Sequence, residues 1–142
     1  MKTIFLFFLI TFVSYNVSSQ TAYNPKTGEP FNKVEREAVY KYGKKVWQEF
    51  LKNNINLNVP MRNGAPAGVY RVLISFIVDK NGNIGEIQAD SRHGYGMEEE
   101  VIRVLLKSGK WKPAQQGGKN VNAYRRQPIT FVVDYGGEKK RT

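Results

Sequence analysis

The stretch from Gly68 to Asp79 constrains the fold more than any other part of the chain. Tyr70, Val72, Ile74, Phe76 and Val78 fall on one face of an extended segment. Val69, Arg71, Leu73, Ser75, Ile77 and Asp79 fall on the other, which is only half polar. Period-two alternation in β-branched and aromatic residues predicts a strand with one face on a core and the second partly covered. Asn81-Gly82 follows at once, and such a pair tolerates the positive φ that a tight hairpin demands. The strand must therefore fold back, and Ile84 to Asp90, with Ile87 and Ala89, is the expected return strand.

The next elements decide the layers. Gly94 and Gly96 end the hairpin, and a short helix is expected from Met97. Glu98, Glu99 and Glu100 fill its first turn, where negative charge suits the helix dipole. Met97, Val101, Val104 and Leu105 share its apolar face, Lys107 closes the last turn and Gly109 stops it. A Lys110-Trp111-Lys112-Pro113 link and a Gly117-Gly118 turn lead to a third strand, about Val121 to Tyr135. Val121, Ala123, Ile129, Phe131, Val133 and Tyr135 lie on one of its faces. Pro128 cannot donate to a ladder, so this strand is expected at a sheet edge or bulged. The hairpin makes strands one and two antiparallel, and the helical crossover returns strand three parallel to strand two. One sheet satisfies both with strand one central, in the order two-one-three. The expected fold class is α+β: a two-layer sandwich of a three-stranded antiparallel sheet, a crossover helix and an N-terminal helix.

That N-terminal helix is read from Asn32, an apparent N-cap, with Glu35 completing a capping box. Val34, Ala38, Tyr42, Val46 and Phe50 recur every four residues, and Val39, Trp47 and Leu51 widen the stripe. The pattern predicts about five turns with one buried face. Gly43 interrupts this stretch for no reason visible in the sequence. Asn53 and Asn54 end it, and Ile55 to Ala67, with Pro60, Gly64 and Pro66, reads as a connector. Ahead of all this, Lys2 precedes the apolar run Ile4 to Val13, in which only Thr11 is polar. Val17 and Ser19 suit a small-residue cleavage site, so a signal peptide over 1–19 is expected, with secretion across the inner membrane and a mature start at Gln20. An uncleaved anchor is the alternative. The expected divisions are 1–19 signal peptide, 20–57 polar lead-in and N-terminal helix, 58–136 the sheet domain, and 137–142 a loose tail.

Composition excludes several chemistries. With no Cys, disulfides, thiolate metal sites and Cys nucleophiles are ruled out. The single His, His93, has no cluster of ligands at metal spacing and reads as a loop or surface residue. Asp79, Asn81 and Asn83 imitate the start of a calcium loop, but Ile84 stands where that loop requires Gly. Glu98 to Glu100 are neighbours on a helix and do not face one another. No nucleophile–base pair or phosphate loop is present, so no catalytic residue, cofactor, metal or small-molecule substrate is assigned and the chain is read as a non-enzyme. Trp111 is expected to plug the core between helix and sheet. Lys and Arg total 22 against 12 Asp and Glu, a balance that favours acidic partners. Export and the lack of an arginine-rich block argue against nucleic acid.

Five segments carry a family resemblance. Gly68 to Gly82 resembles the first hairpin of TonB C-terminal domains. Glu100-Val101-Ile102-Arg103-Val104 resembles the start of their helix. Trp111-Lys112-Pro113-Ala114, Gly118-Lys119-Asn120-Val121 and Gln127-Pro128-Ile129-Thr130-Phe131 resemble the remainder. The resemblance spans about residues 45 to 135. It implies a periplasmic domain that takes a short peptide of an outer-membrane receptor, or of another envelope protein, as an added strand, linked to transmembrane transport. Full transducers carry a full-length anchor and a long Pro-rich spacer; here the 1–19 run is expected to be too short for such an anchor, and 20–57 is neither long nor Pro-rich. Tyr124, Arg125, Arg126 and Gln127, the basic-aromatic cluster on the expected edge, are the candidate partner-binding residues, and they suggest a peptide with acidic character. The alternative is a structural envelope module that self-associates through the same edge as a homodimer, with no energy-transducing role.

Overall fold

The computed structural model describes Asn24 and residues 27–136, so the expected signal peptide and the 137–142 tail lie outside the described residues. Its elements in chain order are β1 (Val39–Tyr40), α1 (Lys44–Asn54), α2 (Val59–Arg62), β2 (Gly68–Val78), β3 (Ile84–Ala89), α3 (Met97–Leu106), β4 (Trp111–Lys112), β5 (Ala114–Gln116), β6 (Lys119–Val121) and β7 (Ala123–Val133). The fold is α+β, and its main sheet has the order β3-β2-β7 with both pairings antiparallel.

β2 and β3 are joined as the Asn81-Gly82 pair implies. The Asp79 N–H donates to the Asn83 carbonyl at 2.8 Å and closes a loop in which Gly82 has φ 82°. A side chain at Gly82 is also barred sterically, because a Cβ there would lie 2.1 Å from the Trp111 carbonyl oxygen. Asp79 holds the loop by accepting from the N–H groups of Asn81 and Asn83 at 2.8 and 2.9 Å.

The core lies on the face predicted from the alternation. Val72, Ile74, Phe76 and Val78 are buried together with Phe131 and Val133 of β7 and with Met97, Val101 and Leu105 of α3. Trp111 is buried, as expected, and joins a chain of rings: Phe76–Trp111 centroids are 5.3 Å apart, Trp111–Trp47 5.1 Å and Trp47–Tyr40 5.0 Å. Edge-to-face and tilted contacts of this kind add to the area that each ring buries.

The N-terminal helix is shorter than predicted. Residues 31–40 are an extended strap, and the helix begins only at Lys44. Phe31 bridges Ala123, Arg36 bridges Gln115, and Val39–Tyr40 pairs with Trp111–Lys112. The apparent capping box is not used. Instead the Glu35 carboxylate accepts from the Gly117 N–H at 3.2 Å. The four-residue recurrence misled because in this strap burial alternates: Ala38 and Tyr40 are inside while Glu37, Val39 and Lys41 are outside. Tyr42 and Val46, assigned to a buried helix face, are exposed. Gly43 now has its reason. It turns the chain from strap to helix at φ 93°, and its carbonyl accepts the first helical bond, from Trp47 N–H at 3.0 Å. A residue with a Cβ is strained at that φ.

Two smaller corrections concern the connector and the third strand. Ile55 to Ala67 holds the short helix α2, with Pro60 at a first-turn position where its missing N–H costs nothing. The Gly117-Gly118 turn closes a separate β5–β6 hairpin, so Val121 belongs to β6, and Tyr135 lies past the end of β7.

Candidate functional site

β7 is the outer strand of the sheet and runs in unbroken register against β2, from Val133 opposite Gly68 to Ala123 opposite Val78. In an antiparallel ladder alternate residues turn their N–H and C=O toward or away from the partner. The Tyr124 N–H points outward, since it donates to the Phe31 carbonyl at 3.0 Å. The alternation then turns Arg126, Pro128, Thr130 and Val132 outward as well. Pro128, opposite Leu73 with no bulge, therefore sits where a missing donor costs the sheet nothing.

The four candidate residues share this strand but not one surface. Tyr124 and Arg126 belong to the open face, opposite Ile77 and Ser75; Arg125 and Gln127 belong to the core face, opposite Phe76 and Ile74. Gln127 Oε1 accepts from the Trp47 indole N–H at 2.9 Å, and its amide donates to the Pro128 carbonyl at 3.0 Å. Gln127 thus ties α1 to the strand. Arg125 pairs with Glu37 of the strap at 3.1 Å, and its buried Nε has no hydrogen-bond partner among the described residues. Arg126 is 74% exposed, with Asp90 at 3.5 Å. Both arginines already face a carboxylate, which reduces the pull on an acidic peptide expected from sequence.

A groove of about 570 Å³ opens beside these residues, lined by Glu29 and Asn32 of the lead-in, Ser75, Gln88 and Asp90 of the sheet, and Tyr124 to Arg126. Beyond it the open face is exposed at the Arg71–Thr130 pair and at the apolar pair past it. Val69 and Val132 form a cross-strand pair there, 72% and 64% exposed. Sequence reasoning stopped at the charged end of β7 and passed over Thr130 and Val132, which flank the unpaired backbone. Their signal was available: the same alternation that makes Pro128 tolerable also turns them outward.

The residues weighed for other chemistry have structural partners. Glu98 is buried at the start of α3 and accepts from Ser91 Oγ, His93 N–H and Gly94 N–H at 3.0, 2.7 and 3.1 Å. Burial pushes its carboxyl up, but the hydrogen bonds from His93, from its own N–H, from Ser91 and from Gly94 together outweigh that and hold it below its ordinary value. Glu100 is held low chiefly by the Arg103 guanidinium, 2.6 Å away, and also accepts from the Asn56 N–H at 2.7 Å. His93 lies in the β3–α3 loop with its ring 2.9 Å from the Arg71 carbonyl. In the calcium-loop imitation the Lys110 ammonium sits between the Asn81 carbonyl and Asn83 Oδ1. No group of three or more His, Cys, Asp or Glu able to hold a metal occurs among the described residues.

An antiparallel sheet of this order, a crossover helix over its core face and an open outer strand agree with one family match. Residues 70–133 match the family model described as Gram-negative bacterial TonB protein C-terminal. This segment is a TonB C-terminal domain. The match runs from within β2 to the end of β7 and leaves the strap and α1 outside it. No curated protein matched the chain. TonB C-terminal domains are non-enzymatic domains of the bacterial envelope that interact with outer-membrane receptors. No helix among the described residues is long and apolar enough to cross a membrane.

Proposed function

We propose that this TonB C-terminal domain binds an extended peptide of an outer-membrane receptor, or of another envelope protein, as an added strand along β7. The observation that carries the proposal is the outer backbone of β7 from Arg126 to Val132. Among the described residues its outward groups make no backbone hydrogen bond outside the ladder, and the Pro128 carbonyl alone takes a side chain, the Gln127 amide at 3.0 Å. An edge of that kind recruits a second chain through main-chain bonds, and the side chains beside it set selectivity. Here those neighbours are Pro128, Thr130, Val132 and Val69 on the open face, so shape and β-branched contacts weigh more than charge. Tyr124 to Gln127 border the docking edge rather than form its centre. In this reading the chain works in the periplasm after loss of residues 1–19, in connection with transport across the outer membrane.

Amide shifts of the labelled protein, titrated with a receptor N-terminal peptide, test the proposal. Shifts centred on Arg126, Thr130 and Val132 are expected. Shifts confined to α1, with β7 silent, would defeat it. A second reading, self-association through the same edge, is favoured by the exposed Val69–Val132 pair. Sedimentation without peptide separates the two: the docking reading expects a monomer, the second a dimer that peptide dissolves.

A further inference from the structure

The docking edge of β7 is not open along its whole length. Phe31 forms a parallel bridge with Ala123. Its N–H donates to the Asn122 carbonyl at 2.9 Å, and its carbonyl accepts from the Tyr124 N–H at 3.0 Å. These are the bonds that an incoming strand would make at that end. The ring of Phe31 is half-buried against the core cluster, which holds the backbone in place. Further along the strap, Glu37 pairs with Arg125 at 3.1 Å, and Arg36 exchanges backbone bonds with Gln115 at 3.1 and 2.9 Å.

We infer that Phe31 is a register stop: the chain fills the Asn122–Tyr124 end of its own docking edge, so that a partner peptide pairs only with Arg126–Val132. The inference rests on the strand-addition reading above and adds its selectivity. A peptide that slides toward Tyr124 meets an edge whose donor and acceptor are taken. It would have to displace Phe31, exposing the ring and breaking both bridge bonds. The recognised segment is therefore short and fixed in register, with Pro128 near the middle of the window, its missing donor opposite one peptide carbonyl and its own carbonyl reached by the peptide on displacing the Gln127 amide. The strap lies outside the segment that matches the family, so this stop belongs to the lead-in of this chain and not to the shared domain.

Two synthetic peptides of alternating Thr and Val test the stop, one cut to the length of Arg126–Val132 and one to that of Asn122–Val132. Against the intact protein the two should bind equally, and the Tyr124 amide should stay protected from exchange and unshifted. Phe31→Pro removes the N–H that bonds Asn122. With that bond and the ring both lost, the Phe31 carbonyl holds Tyr124 weakly enough to be displaced, and the longer peptide should bind that variant roughly tenfold tighter than the shorter one. Phe31→Ala keeps both backbone bonds but loses the ring, and should show the same preference in weaker form. A longer peptide that already binds the intact protein tighter, with Tyr124 shifting alongside Thr130, would overturn the stop. So would equal binding of the two peptides to Phe31→Pro. If neither peptide binds any of the proteins while the Tyr124 amide is protected, the strand-addition reading itself fails, and the stop with it.

Discussion

The two edges of the main sheet are built in opposite ways. β3 is short, and its register against β2 shifts between Ser75 and Ile77. Glu86 carries the irregularity at φ 46°, a conformation that a residue with a Cβ rarely adopts. A bulge bends and twists an edge strand, which makes it a poor template. Past its end the chain stays tied to β2, since the Asp90 and Ser91 N–H groups both reach the Leu73 carbonyl, at 2.8 and 3.3 Å. β7 is nearly twice as long and unbulged, and among the described residues its outer backbone is taken at the Ala123 end by Phe31 and at the Pro128 carbonyl by the Gln127 amide. The difference teaches where a partner can add. One edge is blunted by its own backbone, and the other is left straight and guarded at one end.

The hardest blow to both edges is the removal of what they share. Phe76 is buried beside Trp111 near the C-terminal end of β2, the strand that both edges pair with, and Phe76→Ala should cost about 3–5 kcal/mol, the usual figure for a core Phe. Urea unfolding measures it, and a loss under about 1 kcal/mol would mean that the core is not where the sheet places it. Proline then separates the edges. Thr130→Pro deletes an outward donor of β7 and should weaken peptide binding roughly tenfold by titration, the value of a ladder bond and its neighbours. Ala89→Pro deletes an outward donor of β3 and should leave affinity unchanged. Equal losses from the two would show that the peptide does not choose between edges.

Acid should loosen the β3 side first. Glu98 and Glu100 both have folded pKa values below the ordinary 4.5. A depressed carboxylate contributes stability that is present above its unfolded pKa and lost as pH falls through its folded one. Glu98 binds the loop that follows β3, so the protection of the His93 and Gly94 amides, taken relative to their unfolded exchange rates at the same pH, should fall below pH 4.5 while that of β7 holds. Simultaneous loss along β7 would refute that order. The smallest effect belongs to charge. Arg126→Glu should slow peptide association only about twofold, because Arg126 is exposed and Asp90 already stands beside it. A larger, strongly salt-dependent loss would restore the acidic-peptide preference that the charge balance suggests.

Most of the sheet was legible because its signals are local. Alternation in Gly68–Asp79, the Asn81-Gly82 pair, the glutamates opening α3 and the proline in β7 each act through bonds and torsions within a few residues. The extent of the first helix was not legible. Val34, Ala38, Tyr42 and Val46 recur at helical spacing, yet the strap is extended because its pairings are with residues far along the chain, Arg36 with Gln115 and Phe31 with Ala123. Propensity is a weak prior beside such pairings.

The candidate site divides along the same line. From the amino acids alone came the strand, its place at an edge and the basic cluster Tyr124 to Gln127, because hydrophobic period and proline chemistry depend only on neighbours in the chain. Only the tertiary structure decided which part of that edge is free. It turned Gln127 toward Trp47 and gave Arg125 to Glu37. It set Phe31 on Asn122 and Tyr124, and left Thr130 and Val132 facing outward. Whether a backbone N–H is available depends on what the fold brings within hydrogen-bonding distance of it, and no local pattern records that.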